Sequence, residues 1–346
     1  METKFYNDQD TFLAQIDDIA TKTLSWEKHL TVELPIEGST SGMIYHAADG
    51  SAYLFRECAL RSLRQRLHSE TELVTYVSNK ALIEADASKK FEDYTDWALN
   101  ILRDQGCKEE TKVSIVDGKV NAFLSTEYCE VLDSKYVHDT AFEKIINFTG
   151  ETNFNFRGWW DYAINVAEYT TSNKVEIDGK EYEKSIRVRT SDAGYSSIAL
   201  GSDLRMCNKK IIPMMSDIAI PHRASKKKDL TLCRKEFEEN FDEALTQTEK
   251  VFTNSIAQAN ELVKIKLAHP QGAARKIAKT MGLPKQAALE AIDGFTGNTA
   301  WALYLTLCDC IKNDDDTQKR IKTIGNVAKI LGIKNWSKYD QEFEWK

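Results

Sequence analysis

The chain lacks most of the patterns that announce a reaction. It has no HExxH metal pair, no GxxxxGK[ST] phosphate loop, no GxGxxG after a strand pattern and no GxSxG elbow. Its six histidines, at 29, 46, 68, 138, 222 and 269, stand far apart in sequence. No apolar run approaches the ~20 residues a membrane-spanning helix needs. The opening METKFYNDQD lacks the basic-then-apolar pattern of a secretory leader. There is no internal repeat and no low-complexity tract. The seven cysteines are odd in number and scattered, which speaks against a disulfide framework and for a reducing compartment. The closest pair, Cys308 and Cys310, is one residue too tight for the usual zinc spacing and falls in an apolar helical stretch. The expectation is a cytoplasmic, non-enzymatic protein with no cofactor. The run Asp314-Asp315-Asp316 sits between two helical stripes and reads as a capping turn.

What the chain has is core material. Apolar residues make up 42% and aromatics 10%, so 346 residues with 29% charge are not a disordered chain. The pattern divides in three, and the boundaries 1–110, 111–228 and 229–346 follow from it. In 1–110, apolar residues recur at helical spacing over 10–24, 52–67 and 91–104, with Pro35, Gly38, Gly42 and Gly50 marking a loop or short strands between. In 111–228, Asp117-Gly118 and Asp178-Gly179 each sit between alternating segments, the signature of tight hairpins. Further strands are expected over 159–169, 185–190, 195–200 and 203–207, interrupted by a helix at 138–148. In 229–346, Cys233, Phe237, Phe241, Leu245, Phe252, Ile256, Ala259 and Val263 form a stripe on one helix, on the order of 50 Å long at 1.5 Å per residue. His269-Pro270 is expected to end it, with shorter helices at 272–281, 284–293, 298–311 and 316–331. The predicted fold is α+β: a central antiparallel β-sheet, an N-terminal helical region and a C-terminal helical bundle led by one long helix.

The net charge of −7 hides blocks of opposite sign. Residues 1–50 carry nine acids and three bases. Residues 205–235 carry nine bases (Arg205, Lys209, Lys210, Arg223, Lys226, Lys227, Lys228, Arg234 and Lys235) against two acids. Residues 264–289 carry six bases and no acid. Such blocks are what phosphate-binding surfaces are made of, although a solvated loop beside an acidic helix has the same composition. Ile277, Ala278, Met281-Gly282-Leu283, Ala288 and Ile292 have the spacing of a helix-turn-helix corner, which would present Arg275, Lys276, Lys279, Lys285 and Gln286. The run Phe154-Asn155-Phe156-Arg157-Gly158-Trp159-Trp160-Asp161-Tyr162 is either a base-stacking platform or a strand packed into the core.

Several segments, in order along the chain, are similar to one family. They are Ala59-Leu60-Arg61-Ser62-Leu63-Arg64-Gln65-Arg66-Leu67; Val120 to Tyr128, with Ser125 and Tyr128; Ser191-Asp192-Ala193-Gly194, followed by Arg205 and Asn208; and Gly297 to Tyr304. Together they resemble the phage/plasmid-like protein family, a domain family of unknown function carried by phages and plasmids. Thr190, Cys129 and Lys209-Lys210 depart from its pattern. The resemblance implies a mobile-element protein of the bacterial cytoplasm and no particular reaction. From the residues themselves, Asp192 and Gly194 suit a turn between strands, with the Asp accepting backbone N–H groups and Arg205 and Asn208 bonding that turn or a ligand.

Two functions are therefore expected. The first is a phage protein that binds nucleic acid, single-stranded DNA above all, through Arg205, Lys209, Lys210, Arg223, Lys226 to Lys228, Arg275, Lys276 and Lys279, serving strand annealing or phage replication. The second is a phage protein that inhibits a host or defence protein, through the acidic N-terminal region and the aromatic tail of Trp336, Tyr339, Phe343 and Trp345.

Overall fold

A computed structural model describes residues 3–23, 27–39, 42–67, 85–126, 128, 132–194, 197–206, 210–221, 230–312 and 317–345. It has the predicted α+β architecture. The main sheet is curled and antiparallel throughout, in the order β1 (Lys4–Tyr6), β8 (Asn155–Trp160), β9 (Asn165–Ile177), β10 (Lys180–Thr190), β11 (Ile198–Met206) and β12 (Lys210–Pro213); β13 (Ile218–Ile220) also pairs with β11. Two smaller sheets stand beside it. One joins β2 (Glu27–Leu30), β6 (Glu110–Val116) and β7 (Lys119–Ser125); the other joins β3 (Ile36–Ser39), β4 (Gly42–His46) and β5 (Ala52–Leu54).

Both Asp-Gly pairs make the hairpins expected of them. Asp117 and Gly118 have φ of 50° and 69°, Asp178 and Gly179 φ of 54° and 68°, and they join β6 to β7 and β9 to β10. Positive φ at both central residues matches the strands' right-handed twist. Other elements differ from the sequence reading. The strand expected over 159–169 is broken at Asp161, whose Oδ1 accepts Ala163 N at 2.7 Å and Ile164 N at 2.9 Å. That carboxylate makes the turn without glycine or proline, so no breaker marked it. Within the described residues, the segments expected over 195–200 and 203–207 fall on one strand, β11, which runs from Ile198 to Met206. The helix expected over 52–67 begins at Glu57, because Ala52–Leu54 pairs with β4.

The remaining helices are α1 (Gln9–Thr21), α2 (Glu57–Arg66), α3 (Ala85–Asp104), α4 (Ser134–Thr149), α5 (Leu230–Lys264), α6 (Pro270–Thr280), α7 (Lys285–Ile292), α8 (Ala300–Cys308) and α9 (Thr317–Ala328). The long helix α5 bridges two cores. Its first half sets Cys233, Phe237, Phe241 and Leu245 against α4 and the sheet residues Tyr169, Ile186, Val188 and Leu200. Its second half sets Phe252, Ala259 and Leu262 into the C-terminal bundle, around Trp301, Leu303, Tyr304 and Leu307. It stops at Lys264, short of His269-Pro270. Residues 265–267 instead hydrogen-bond to 298–300, and Pro270 opens α6, where its missing N–H costs nothing.

Alternation along the central strands buries two unlike faces. Tyr169, Ile186, Val188 and Leu200 face the core; Glu168, Arg187, Asp203 and Arg205 face the other way and are buried too. Arg187 pairs with Asp203 and, at 2.7 Å, with Asp217; Arg205 pairs with Glu168. Removing one partner of such a pair strands a charge and costs about 3–5 kcal/mol.

Candidate functional site

The structure sorts the basic residues singled out by sequence. Lys209, Arg223, Lys226, Lys227, Lys228 and Asn208 lie outside the described residues. Arg205 does not reach the surface: it is 1% exposed on β11 and its guanidinium is held by Glu168. Strand alternation turns it inward, so phosphate contact by Arg205 gives way to a structural ion pair. Lys210 is half-buried, with Nζ 2.7 Å from Asp309.

Around α6 the pattern is clearer. The helix-turn-helix spacing does give a corner, with Gly282 at φ 67° between α6 and α7 and Ile277, Ala278, Ala288 and Ile292 buried. Arg275 and Lys276 are half-buried; Lys279 and Lys285 are exposed. A further lysine joins them from α9's C-terminal side. Asn326 Nδ2 donates to Gly282 O at 3.3 Å, and Lys329 Nζ donates to Asn326 Oδ1 at 3.1 Å. Lys329 is thereby tethered beside the turn that Lys279 and Lys285 flank. Sequence spacing gave no sign of it, since 44 residues separate Asn326 from Gly282.

The aromatic tail folds back on this same region. Asp340 accepts Ala268 N at 2.9 Å and His269 N at 2.7 Å, just before α6. Despite burial, those two N–H groups and His269 hold its carboxyl below the usual range. Lys276 donates to Lys338 O at 2.7 Å, and Lys279 lies 5.6 Å from the Phe343 ring. Trp336 is buried, and Tyr339 and Trp345 pack against the C-terminal core. The other aromatic run is core as well: Phe156, Trp159 and Trp160 are all buried.

The family-like positions Tyr128, Ser191, Asp192 and Gly194 come together away from the basic corner. Tyr128 Oη donates to Ser191 O at 3.4 Å, and Ser191 Oγ donates to Ala163 O. Asp192 reaches beyond its own segment. Its Oδ1 accepts Ser134 N at 3.0 Å, at the start of α4, next to Asp133 Oδ1, which accepts Tyr136 N at 2.8 Å. Gly194 has φ 69°, and a Cβ there would fall on Leu124 Cδ2. Ser125 is half-buried at the end of β7.

Asp192 lines a partly open cavity of about 260 Å³ between α1, the β6–β7 hairpin, the start of α4 and the β8–β9 turn. Asp133 and Asp161 line it too, as do Asn121 and Asn165. Burial raises the pKa of Asp133 and Asp161, and pushes Asp192 up to about 6 against the hydrogen bonds from Ser134. Behind Asn165 lies His138, whose Nε2 is 2.7 Å from Asn165 Oδ1. Burial brings its pKa down to about 4, so the ring is neutral at pH 7. Among the described residues, no three His, Cys, Asp or Glu side chains stand close enough together to hold a metal ion, and no helix is long and apolar enough to cross a membrane. No family model, curated protein or solved structure matches the chain.

Proposed function

We propose that this protein binds nucleic acid through its C-terminal helical region, with Lys279, Lys285 and Lys329 holding phosphates around the α6–α7 turn and the basic segment 223–228 adding further contacts. The observation that carries this reading is charge segregation. Residues 264–346 hold 14 bases against nine acids in a chain whose net charge is −7; Lys279 and Lys285 flank one turn in the chain, and Lys329 is tied to that turn through Asn326. Phosphate contact releases counterions, which gives affinity without sequence information.

Base reading is not part of the proposal. The helix that would enter a groove, α7, has eight residues, and its Gln286 is engaged by Glu290 at 3.1 Å. A lysine-rimmed turn with no groove-reading helix suits a flexible single strand better than a duplex groove. The test is fluorescence anisotropy with labelled single- and double-stranded DNA of mixed sequence. Binding to the single strand should be tighter, and Lys279→Glu, Lys285→Glu and Lys329→Glu together should weaken it at every sequence. Unchanged affinity in that triple variant would remove the corner from the interface.

A further inference from the structure

The cavity beneath Asp192 serves neither the basic corner nor the nucleic-acid reading. Its 260 Å³ is the room of about eight or nine waters, or of one ring with a short polar arm. Its lining is mixed. Ile16, Ile19 and Trp160 give it apolar and aromatic surface, with the Tyr162 ring 4.7 Å from the Trp160 ring. Among the described residues it also carries three carboxylates from three separate segments: Asp133 before α4, Asp161 in the β8–β9 turn and Asp192 after β10.

Lys135 and Arg234 act on Asp133, and hydrogen bonds from Thr317 and Tyr128 reach Asp161 and Asp192, yet burial still leaves all three pKa values raised. Among the described residues, Lys135 is the one cation lining the cavity, and its Nζ is held between Asp17 and Asp139 at 2.9 Å each. Lys22 pairs with Asp18 at 2.7 Å. Arg56 lies over the Tyr162 ring at 3.4 Å and faces Asp117 at 3.8 Å. Arg234 sits 4.5 Å from the Tyr136 ring. The start of α4, which would otherwise attract an anion, is already occupied by Asp133 and Asp192. A bare metal ion does not fit either, because the carboxylates share one cavity without converging on one point. A polyatomic cation does fit, since its N–H groups diverge and its body needs the apolar surface.

We propose that this cavity is a binding site for a small organic cation, an amine or amidine on an apolar or aromatic body, with Asp161 and Asp192 accepting its N–H groups and Trp160 and Tyr162 packing on its body. The raised pKa values of the three aspartates fit the same picture. Each charge is held in the fold at a cost to stability, as is common for groups kept for binding.

The test uses the full chain and three ring compounds of nearly equal shape: benzamidine, its neutral analogue benzamide and the anion benzoate, titrated by calorimetry at pH 7.5. Benzamidine should bind, benzamide at least about tenfold more weakly, and benzoate not at all. Ala20→Leu fills the cavity from α1 with a good helix former and should abolish benzamidine binding. Asp192→Asn and Asp161→Asn should each weaken it by about tenfold or more while the far-UV spectrum is unchanged. Equal affinity for benzamidine and benzamide, no binding at millimolar benzamidine, or binding indifferent to Ala20→Leu would each overturn the proposal. DNA affinity measured on Ala20→Leu should stay at the wild-type value, so this site and the lysine corner stand or fall separately.

Discussion

Replacing Asp192 by asparagine should make the protein more stable at neutral pH. The folded-state pKa is about 6, against 3.8 for the unfolded chain, so the native state binds more protons than the unfolded state between those values. Stability therefore falls as pH rises through that window, and the full penalty is felt above it. A shift of about two units corresponds to about 3 kcal/mol at pH 7.5 and, by the same linkage, only about 1 kcal/mol at pH 4.5. Asparagine keeps the acceptor for Ser134 N and carries no charge at either pH. Urea unfolding of wild type and Asp192→Asn at both pH values reads the difference directly. The variant should gain about 3 kcal/mol at pH 7.5 and about 1 kcal/mol at pH 4.5. A gain independent of pH, or a loss at pH 7.5, would refute the reasoning and make the carboxylate a structural bond in its own right.

Other expectations follow from single contacts. Gly194→Ala forces a side chain into positive φ and onto Leu124, and should cost about 1–3 kcal/mol in urea unfolding. Asp340→Ala removes the cap before α6 and should cost about 1 kcal/mol, with a change in tryptophan emission as the tail around Trp336 and Trp345 loosens. Phe241→Ala, at the middle of the core shared by α4 and α5, should cost about 3–5 kcal/mol by thermal or urea melts.

The sequence carried the local order of this fold well. The two Asp-Gly hairpins, the long α5 stripe and the α6–α7 corner are each written in a few neighbouring residues. Features made by distant partners were hidden. Asp161 closes a turn with its side chain and left no glycine or proline to see. Arg205 looked like a surface cation because only the strand pairing of β9 with β10 and β11 brings Glu168 within its reach. Lys329 joins the basic corner through Asn326, and the tail's aromatics looked available until Asp340 pinned them beside α6. The cavity was legible only in part: Tyr128, Ser191, Asp192 and Gly194 stood out as a shared corner, but Asp133 and Asp161 reach it through helix and turn positions that no spacing links.

Nucleic-acid binding is tested most directly by the salt dependence of anisotropy with labelled single-stranded DNA between about 50 and 200 mM salt. With a slope of about −0.7 per phosphate contact, three lysines at the α6–α7 turn should cost about twentyfold in affinity across that range, and four more contacts from segment 223–228 should bring the loss to about a thousandfold. A steep loss of that order, reduced to the lower figure by Lys226→Glu, Lys227→Glu, Lys228→Glu and Arg223→Glu together, is the predicted result. No binding at 50 mM salt, or an affinity that salt leaves unchanged, would contradict it.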